Sequence, residues 1–309
     1  MEKIYDMIIV GGGPGGYTAA LYGARAGLDV LLVERLSAGG QMNLTGQIDN
    51  YPGFPEGIDG FMLSMNMQQQ AERFGAKSKY AEVLELQLNG DVKIVRTNEG
   101  EYSARTVVIS TGANPRQLGV DREKEMIGRG VGYCAHCDGG FYRGKTVAVV
   151  GGGNSAAAEA LHLSRIAKEV ILIHRRDSLR ATQIYHKPLM EAGNIRFQWD
   201  SEVTELLGEE LLEGIGVRNL KNGEVQNVNV QGLFVSIGRK PATDLVKDQL
   251  TLDHAGYIMA GESTKTNIPG VYAVGDVRTK ELRQIVTAVA DGAMAAHVAA
   301  EYLAEGGKV

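Results

Sequence analysis

The two cysteines of the chain, Cys134 and Cys137, are separated by only two residues, and Asp138 directly follows the second. Two thiols cannot build the disulfide framework of a small secreted protein, and a structural zinc site needs four ligands. At this spacing a disulfide can open and close with little backbone movement, and a mixed disulfide on one sulfur can be resolved by the other. Asp138 could protonate a leaving thiolate. These residues indicate a redox-active dithiol rather than two unrelated buried thiols.

A glycine-rich turn near the N-terminus has the pattern G-x-G-x-x-G over residues 11–16. Gly11 allows the tight turn, Gly13 lets a pyrophosphate approach the backbone, and Gly16 lets a helix pack closely on a strand. Glu34 lies 23 residues after the first glycine, where a carboxylate can accept hydrogen bonds from the ribose of an adenosine. These residues predict a dinucleotide site for an unphosphorylated ribose, as in FAD or NAD.

The same arrangement returns 140 residues later, where residues 151–156 fit the variant G-x-G-x-x-A. At the ribose position stands His174 instead of an acid, and Arg175, Arg176 and Arg180 follow it. An acid would repel a 2′-phosphate, whereas guanidinium groups bind it through paired, charge-assisted hydrogen bonds. We therefore predict NADP(H) at this second site, and a solvated basic turn is the alternative.

The segments around the two glycine-rich turns follow the strand–turn–helix–strand order of a dinucleotide-binding fold. Each turn comes after a short apolar run of the kind that forms a buried parallel strand. The expected elements are strands over residues 5–10, 29–33, 145–150 and 169–173, and helices over about 15–26 and 154–166. Two such units with opposite ribose preferences suggest electron transfer between two cofactors.

Two later segments support FAD at the first site. Residues 106–113 have a strand pattern that ends in a small-residue turn at Gly112, and another strand pattern ends in Gly275 and Asp276. Glycine permits a close approach of the backbone to a cofactor, and the Asp276 carboxylate could accept a hydrogen bond from a sugar hydroxyl. A helix rich in small residues is expected from about 284 to 303, and its N-terminus would direct a positive dipole end toward a ligand there.

The composition is that of a globular chain of about two domains. Its 309 residues include 41 glycines, 44% of the chain is hydrophobic and 22% is charged, and the net charge of −5 provides no basic field for nucleic acid. No apolar run approaches the roughly 18 residues of a membrane span, and residues 1–6 lead into a strand pattern without a secretory leader. We expect a cytoplasmic protein that binds neither nucleic acid, membrane nor metal.

The order of these segments implies a domain that is interrupted in the sequence. We expect an α/β fold with two Rossmann-like, three-layer dinucleotide-binding domains. The FAD domain would comprise residues 1–116 and be completed by residues 244–309, and the NADPH domain with the dithiol would comprise residues 117–243. The chain would cross between the domains over residues 112–119 and 237–241, and two short crossings permit a hinge.

In combination, these motifs closely resemble those of the low-molecular-weight (class II) thioredoxin reductases, which are FAD- and NADPH-dependent pyridine nucleotide-disulfide oxidoreductases. The resemblance covers essentially the whole chain. It rests on residues 11–16, 39–41, 50–53, 134–139, 151–155, 174–181, 275–277 and 283–284. It implies a thioredoxin-disulfide reductase that uses NADPH as donor, requires FAD, forms a homodimer and has thioredoxin as its partner.

The resemblance also implies roles for individual residues. Cys137 is then the thiol next to the flavin, Cys134 attacks the partner disulfide, and Asp138 is the acid, while the NADPH domain rotates between two poses. The implied FAD contacts are Gly13, Pro14, Gly15, Gly16, Glu34, Gln41, Asn50, Val83, Asp276, Arg283 and Gln284. The implied NADPH contacts are Gly152, Gly153, Asn154, Ser155, Arg175, Arg176 and Arg180.

Two positions depart from the family pattern. His136 stands where Thr or Val is common, and Ala158 replaces a frequent Glu. His136 could favour a thiolate through its positive charge, although a plain loop residue is the simpler interpretation. The alternative enzymatic functions use the same dithiol chemistry with a different electron donor or acceptor. The donor would be ferredoxin, or the acceptor would be a glutaredoxin-like protein or a peroxiredoxin system. An NADP(H)-sensing binding protein without turnover is the non-enzymatic alternative, and the intact dithiol with Asp138 argues against it.

Overall fold

The chain divides into two units in the computed structural model, which describes residues 3–44 and 47–306 without the side chains of Leu44 and His136. One unit joins Met1–Asn114 to Lys240–Val309, and the other comprises Pro115–Arg239. Both contain a parallel sheet with helices. The predicted fold class, α/β with two Rossmann-like units of which one is discontinuous, is confirmed.

In the described residues of the N-terminal segment there are two helices and nine strands, of which the last lies at the first crossing between the units. These elements are β1 (Ile4–Val10), α1 (Pro14–Arg25), β2 (Val30–Glu34), β3 (Gln47–Ile48), β4 (Ile58–Asp59), α2 (Gly60–Arg73), β5 (Lys77–Tyr80), β6 (Val83–Gln87), β7 (Lys93–Thr97), β8 (Gly100–Ile109) and β9 (Ala113–Pro115). A 3₁₀ turn also occupies Gly40–Leu44.

The second unit contains three helices and eight strands within the described residues, and a further strand lies at the second crossing. These elements are β10 (Val131–Gly132), α3 (Ala135–Asp138), β11 (Thr146–Val150), α4 (Asn154–Ser164), β12 (Glu169–Ile173), α5 (Gln183–Glu191), β13 (Ile195–Gln198), β14 (Ser201–Leu207), β15 (Gly214–Asn219), β16 (Val225–Asn229), β17 (Gly232–Val235) and β18 (Arg239–Pro241). The C-terminal segment then adds β19 (Val271–Ala273), a 3₁₀ turn (Gly275–Val277) and α6 (Ile285–Ala304).

The main sheet of the first unit has the order β5-β2-β1-β8-β7-β6, and β19 also pairs with β8. Strands β5, β2, β1, β8 and β19 are parallel, whereas β6, β7 and β8 form an antiparallel meander. Val10 is in register with Val33 and Ile109, and Ile109 is in register with Ala273. The turns that follow these strands therefore meet at one edge of the sheet, where ligands bind in such folds.

The main sheet of the second unit has the order β10-β17-β11-β12-β13 and is parallel throughout. Val150 is in register with Ile173 and Val235, so the residues that follow these three strands share one edge. A separate antiparallel sheet, β14-β15-β16, precedes β17. Neither this sheet nor the β6-β7-β8 meander was predicted.

Both faces of β1 are buried from Met7 to Val10, which explains why these four residues are all apolar. Ile8 packs into a core on the meander side, and Ile9 packs into a second core with small residues of α1 and α6. These two helices approach very closely at Gly292, where a Cβ atom would lie 2.2 Å from the Gly15 carbonyl oxygen. The small residues expected in the C-terminal helix thus let it lie directly against α1.

Candidate active site

Cys134 and Cys137 form a closed disulfide with their Cα atoms 5.3 Å apart. Cys134 precedes α3, and its carbonyl oxygen accepts hydrogen bonds from the backbone N–H groups of Cys137 and Asp138, both at 3.1 Å. This single helical turn places residues three apart on one side, so the two sulfurs can meet without backbone strain. The predicted dithiol/disulfide pair is confirmed in this form.

Asp138 lies directly beside the disulfide in the sequence, and its side chain is half-buried. Its Oδ2 atom lies 3.2 Å from the position that a Cβ would occupy on Gly132, at the end of β10. Burial raises the pKa of this carboxyl to about 6 because the charged form loses hydration. A carboxyl with this pKa can carry a proton close to neutral pH, as a general acid requires.

The residue before Cys134 is held by a buried acid that the sequence did not single out. The Tyr133 hydroxyl donates to Glu123 Oε1 at 2.7 Å, and Glu123 is only 3% exposed. The same carboxylate accepts the backbone N–H groups of Leu118 and Gly119, both at 2.9 Å. Glu123 therefore fixes the start of the dithiol loop, although nothing in the local sequence marked it.

In the first glycine-rich turn, packing requires glycine at positions 11 and 16 but not at position 13. A Cβ on Gly11 would lie 2.4 Å from the Ser110 carbonyl oxygen, and one on Gly16 would lie 2.0 Å from the Gly11 oxygen. Gly13 has an ordinary φ of −75°, and no described atom lies within 4 Å of its Cβ position. The protein itself therefore does not require glycine at position 13, whereas a pyrophosphate against the backbone would.

Glu34 is positioned at this turn by two backbone groups. Its Oε2 accepts the Gly12 N–H at 2.7 Å, and its Oε1 accepts the Leu36 N–H at 3.1 Å. The carboxylate thus lies where β2 ends, next to the turn, and its charge would repel a phosphate on the ribose.

Other residues expected to contact FAD come from distant parts of the first unit. The Asn50 side-chain amide donates to Gln284 Oε1 at 2.9 Å, and Gln41 donates to the carbonyl oxygen of Ala113. The Arg283 guanidinium lies over the Tyr257 ring at 4.0 Å, and its buried Nε has no partner among the described residues. Such an unsatisfied donor is what a bound polar ligand would accept.

The remaining residues expected to contact FAD lie on several different elements of the first unit. Gly112 has a φ of +72° and Gly275 also has a φ of +72°, with Asp276 in the short 3₁₀ turn that follows. Pro14 is the first residue of α1, directly followed by Gly15, whose Cβ position lies 3.1 Å from Ala288 of α6 and 3.1 Å from Val274, the residue after β19. Val83 begins β6 and packs against the core of the meander side.

Asp291 on α6 is a buried acid that sequence reasoning missed. It accepts two hydrogen bonds from Arg278, at 2.9 and 2.6 Å, and one from Lys280 at 2.6 Å. It also accepts the backbone N–H of Gly275 at 2.8 Å. Burial alone would raise the pKa of this carboxyl, but the two cations outweigh it and hold the pKa below its ordinary value. An acid within the small-residue stripe Ala288–Ala295 was the available signal.

In the second glycine-rich turn, as in the first, packing requires the first glycine and leaves the third one open. Gly151 has a φ of +150°, and a Cβ there would lie 2.3 Å from the Ser236 carbonyl oxygen. Gly153 is open, because no described atom lies within 4 Å of its Cβ position. Asn154 accepts the Thr182 N–H at 2.8 Å through its side-chain oxygen, and Ser155 is exposed beside it.

The His174 side chain is buried against the backbone of this second glycine-rich turn. It is 4% exposed, and its ring occupies the space in which a Gly152 Cβ would stand, at 2.2–2.4 Å. The Gly152 carbonyl oxygen accepts the backbone N–H of Arg180 at 2.7 Å. Burial, followed by the charges of Arg180, Arg176 and Arg175, lowers the pKa of His174 and so favours the neutral imidazole.

The three arginines present free positive charge beside the second turn. Arg175, Arg176 and Arg180 are exposed, and none of them forms an ion pair with a described residue. Guanidinium groups without acidic partners are available for paired, charge-assisted hydrogen bonds to a phosphate. The side chain of His136 lies outside the described part of the structure, so its role stays a prediction. Ala158 is half-buried on α4.

Comparison with known proteins agrees with this arrangement. The family model of the pyridine nucleotide-disulphide oxidoreductases matches residues 5–292. The chain is 45% identical to the thioredoxin reductase of Streptomyces clavuligerus over 307 residues, with 98% of this chain and 95% of the relative covered. It is 41% identical to that of Peptoclostridium acidaminophilum, with 98% of each chain covered. The crystal structure of thioredoxin reductase from Streptococcus pyogenes MGAS5005 covers 99% of this chain with all of its own, at 43% identity and a TM-score of 0.91.

These similarities extend over both units. No helix among the described residues is long and apolar enough to cross a membrane. The chain belongs to the pyridine nucleotide-disulphide oxidoreductase family and, within it, to the low-molecular-weight thioredoxin reductases.

Proposed function

We propose that this chain carries electrons from NADPH through FAD and the Cys134–Cys137 pair to the disulfide of a thioredoxin. The observation that carries the proposal is the closed disulfide with the raised pKa of Asp138 beside it. A disulfide accepts two electrons and becomes a dithiol, which can reduce another disulfide by exchange. The names of the curated relatives support thioredoxin as the partner.

The residues of the first unit fit FAD. Gly13 leaves the turn open to a pyrophosphate, and Glu34 offers its carboxylate to a ribose without a phosphate. The unsatisfied Nε of Arg283 and the linked side chains of Asn50 and Gln284 provide further polar groups. When bound, FAD would accept a hydride from NADPH and pass two electrons to the disulfide.

The residues of the second unit fit NADPH better than NADH. Gly153 leaves the second turn open, and three exposed arginines without acidic partners among the described residues follow β12 at the same edge of the sheet. The buried His174 stands in place of the acid that would repel a 2′-phosphate. These residues would bind and orient the nucleotide, while the rotation between two poses that the resemblance implies stays a prediction.

The protein residues then perform thiol–disulfide exchange. The Cys134 thiolate attacks one sulfur of the partner disulfide, and the other partner sulfur leaves as a thiolate. Asp138 supplies the proton that this leaving group takes up. Cys137 next attacks the Cys134 sulfur, which releases the second partner thiol and closes the Cys134–Cys137 disulfide again.

The first experiment is an anaerobic titration of the flavin-loaded protein with NADPH and, separately, with NADH, followed by flavin absorbance. Flavin bleaching at a far lower concentration of NADPH than of NADH supports the NADPH site, whereas a flavin that stays oxidised with both nucleotides would indicate ferredoxin as the donor.

The second experiment measures thioredoxin reduction by Cys137→Ser, which we expect to keep FAD and lose turnover. Retained turnover would refute the exchange scheme. Sedimentation of the holoprotein tests the homodimer.

A further inference from the structure

Asp200 has a backbone conformation that few residues other than glycine adopt. Its φ is +49°, in the left-handed region, and it lies between the end of β13 and the start of β14. Aspartate and asparagine enter this region more readily than most residues with side chains, and a β-branched residue rarely does. Such a conformation persists only where the surrounding contacts hold it, and it is frequent at functional sites. The contacts of Asp200 therefore deserve a functional explanation.

On one side, Asp200 holds the start of the arginine loop, residues 174–181. The Asp200 N–H donates to the Arg176 carbonyl oxygen at 3.2 Å. The N–H of the next residue, Ser201, donates to the His174 carbonyl oxygen at 3.0 Å. The pairing between β12 and β13 is thus continued past the ends of both strands. The position of the Arg176 peptide therefore depends on the path of the chain at Asp200.

On its other side, Asp200 is fixed by the turn between β15 and β16. Its carbonyl oxygen accepts the Leu220 N–H at 2.6 Å. Its Oδ2 lies 2.8 Å from the Lys221 Nζ, and the aspartate side chain is only 18% exposed. Asp200 therefore joins the arginine loop to the antiparallel sheet β14-β15-β16, which the exchange scheme does not use.

Trp199 adds side-chain packing at the same corner. Its ring stacks on that of Phe197, with the centroids 4.8 Å apart, and meets the buried His174 ring edge-on at 6.5 Å. The far end of the arginine loop is held separately, because the Arg180 N–H donates to the Gly152 carbonyl oxygen at 2.7 Å. The loop is therefore anchored at both ends, by the second glycine-rich turn and by the segment between β13 and β14.

We propose that Asp200 is a positioning residue for NADPH selectivity: its left-handed conformation holds the Arg176 carbonyl group and thereby directs the Arg175 and Arg176 guanidinium groups toward the 2′-phosphate. The inference rests on the proposed function in taking the arginine loop as the 2′-phosphate site. A guanidinium binds a phosphate through paired hydrogen bonds of fixed geometry, so a shift of the loop backbone weakens them. The backbone conformation of Asp200, and not its carboxylate, then determines the selectivity.

The test compares Asp200→Asn, Asp200→Gly, Asp200→Ala and Asp200→Val, which all remove the carboxylate but differ in how readily they adopt a positive φ. Isothermal titration calorimetry of the FAD-loaded protein gives the dissociation constants of adenosine 2′,5′-bisphosphate and AMP, which differ only in the 2′-phosphate. Asparagine and glycine adopt a positive φ and should keep the wild-type preference for the bisphosphate. Asp200→Val should lower this preference about tenfold, with Asp200→Ala in between, because a charge-assisted contact is lost while AMP binding is unchanged.

Arg122→Val is the matched control for strain in the same unit. Arg122 also has a positive φ, of +62°, and its guanidinium donates to the Gly208 and Glu209 carbonyl oxygens of the β14–β15 loop at 2.8 and 2.6 Å. Both valine variants should unfold at lower urea concentration than wild type, since each places a β-branched residue in the left-handed region. Only Asp200→Val should change the preference for the bisphosphate.

Equal preferences in Asp200→Gly and Asp200→Val, at equal FAD content, would overturn the inference and leave the NADPH site in place. An equal loss in all four variants would assign the effect to the carboxylate and overturn it as well. If Asp200→Val does not fold, Asp200→Ala carries the test, and a preference equal to that of Asp200→Gly counts against the inference. A wild-type protein that binds the bisphosphate and AMP equally would instead overturn the 2′-phosphate site of the proposed function, and this inference with it.

Discussion

Asp138→Asn is expected to change the rate of thioredoxin reduction and the free energy of unfolding in opposite directions. Burial raises the pKa of Asp138 from 3.8 to about 6. At pH 7 about a tenth of the molecules then carry the proton, compared with less than about a thousandth for an ordinary aspartate. Asparagine has a similar shape and no such proton. Because general acids contribute about 10²- to 10⁴-fold to rates, we expect thioredoxin reduction to fall by at least about 10²-fold at pH 7.

The same substitution should stabilise the folded protein. A carboxyl whose folded-state pKa lies above its unfolded value binds more protons when folded, so stability is lost as pH rises from about 4 through about 6. At pH 7.5 this loss amounts to at most about 3 kcal/mol, and asparagine avoids it. Urea unfolding at pH 5 and 7.5 should therefore show a gain for Asp138→Asn that is larger at the higher pH.

The assay pairs single-turnover reduction of thioredoxin by the pre-reduced enzyme with urea unfolding of the same samples. Above pH 6 the rate of thioredoxin reduction by the wild type should fall, because fewer molecules carry a protonated Asp138. This decrease with pH should be absent in Asp138→Asn. Asp121→Asn, an exposed aspartate of the same unit, is the control and should change neither quantity. A variant that loses stability together with activity, or one that keeps full activity, would refute the assignment of Asp138 as the acid.

Three further predictions test the nucleotide turns and the buried ion cluster. Arg176→Ala should raise the KM for NADPH about tenfold and leave that for NADH unchanged, and equal effects on both would contradict the phosphate site. Gly13→Ala should weaken FAD binding in a folded protein, whereas Gly16→Ala, whose Cβ would lie 2.0 Å from a carbonyl oxygen, should reduce stability measured by urea. Asp291→Asn should cost about 3–5 kcal/mol of unfolding free energy because two buried cations lose their carboxylate; an unchanged midpoint would contradict this.

The strand–turn–helix units could be predicted because their signals are local. An apolar run, a glycine pattern and a residue such as Glu34 or Arg175 at a fixed distance lie within about 30 residues, and each has a distinct steric or electrostatic role. The two antiparallel meanders could not be predicted in this way. Strands such as Val83–Gln87 and Val225–Asn229 are short and half exposed, so their residues lack the continuous apolar pattern of a buried strand.

The supporting acids escaped prediction for a different reason. Glu123 and Asp291 act through partners that are brought near by the fold, such as the Gly275 N–H, 16 residues from its acceptor Asp291. A single sequence does not show which surface-type residue is buried. The sequence could therefore indicate the groups that touch ligands, while the acids that hold those groups in place required the three-dimensional structure.

The interrupted first unit has a consequence for synthesis of the chain. Strand β19 and helix α6 are synthesised after the whole second unit, so β8 lacks a neighbour along Val107–Ile109 and α1 lacks the helix packed against it until these later residues have been made. The second unit, Pro115–Arg239, is contiguous and can complete its sheet earlier. The nascent protein thus carries an apolar strand edge from the synthesis of β8 until β19 has been made, and this interval is when aggregation or chaperone binding is most favoured.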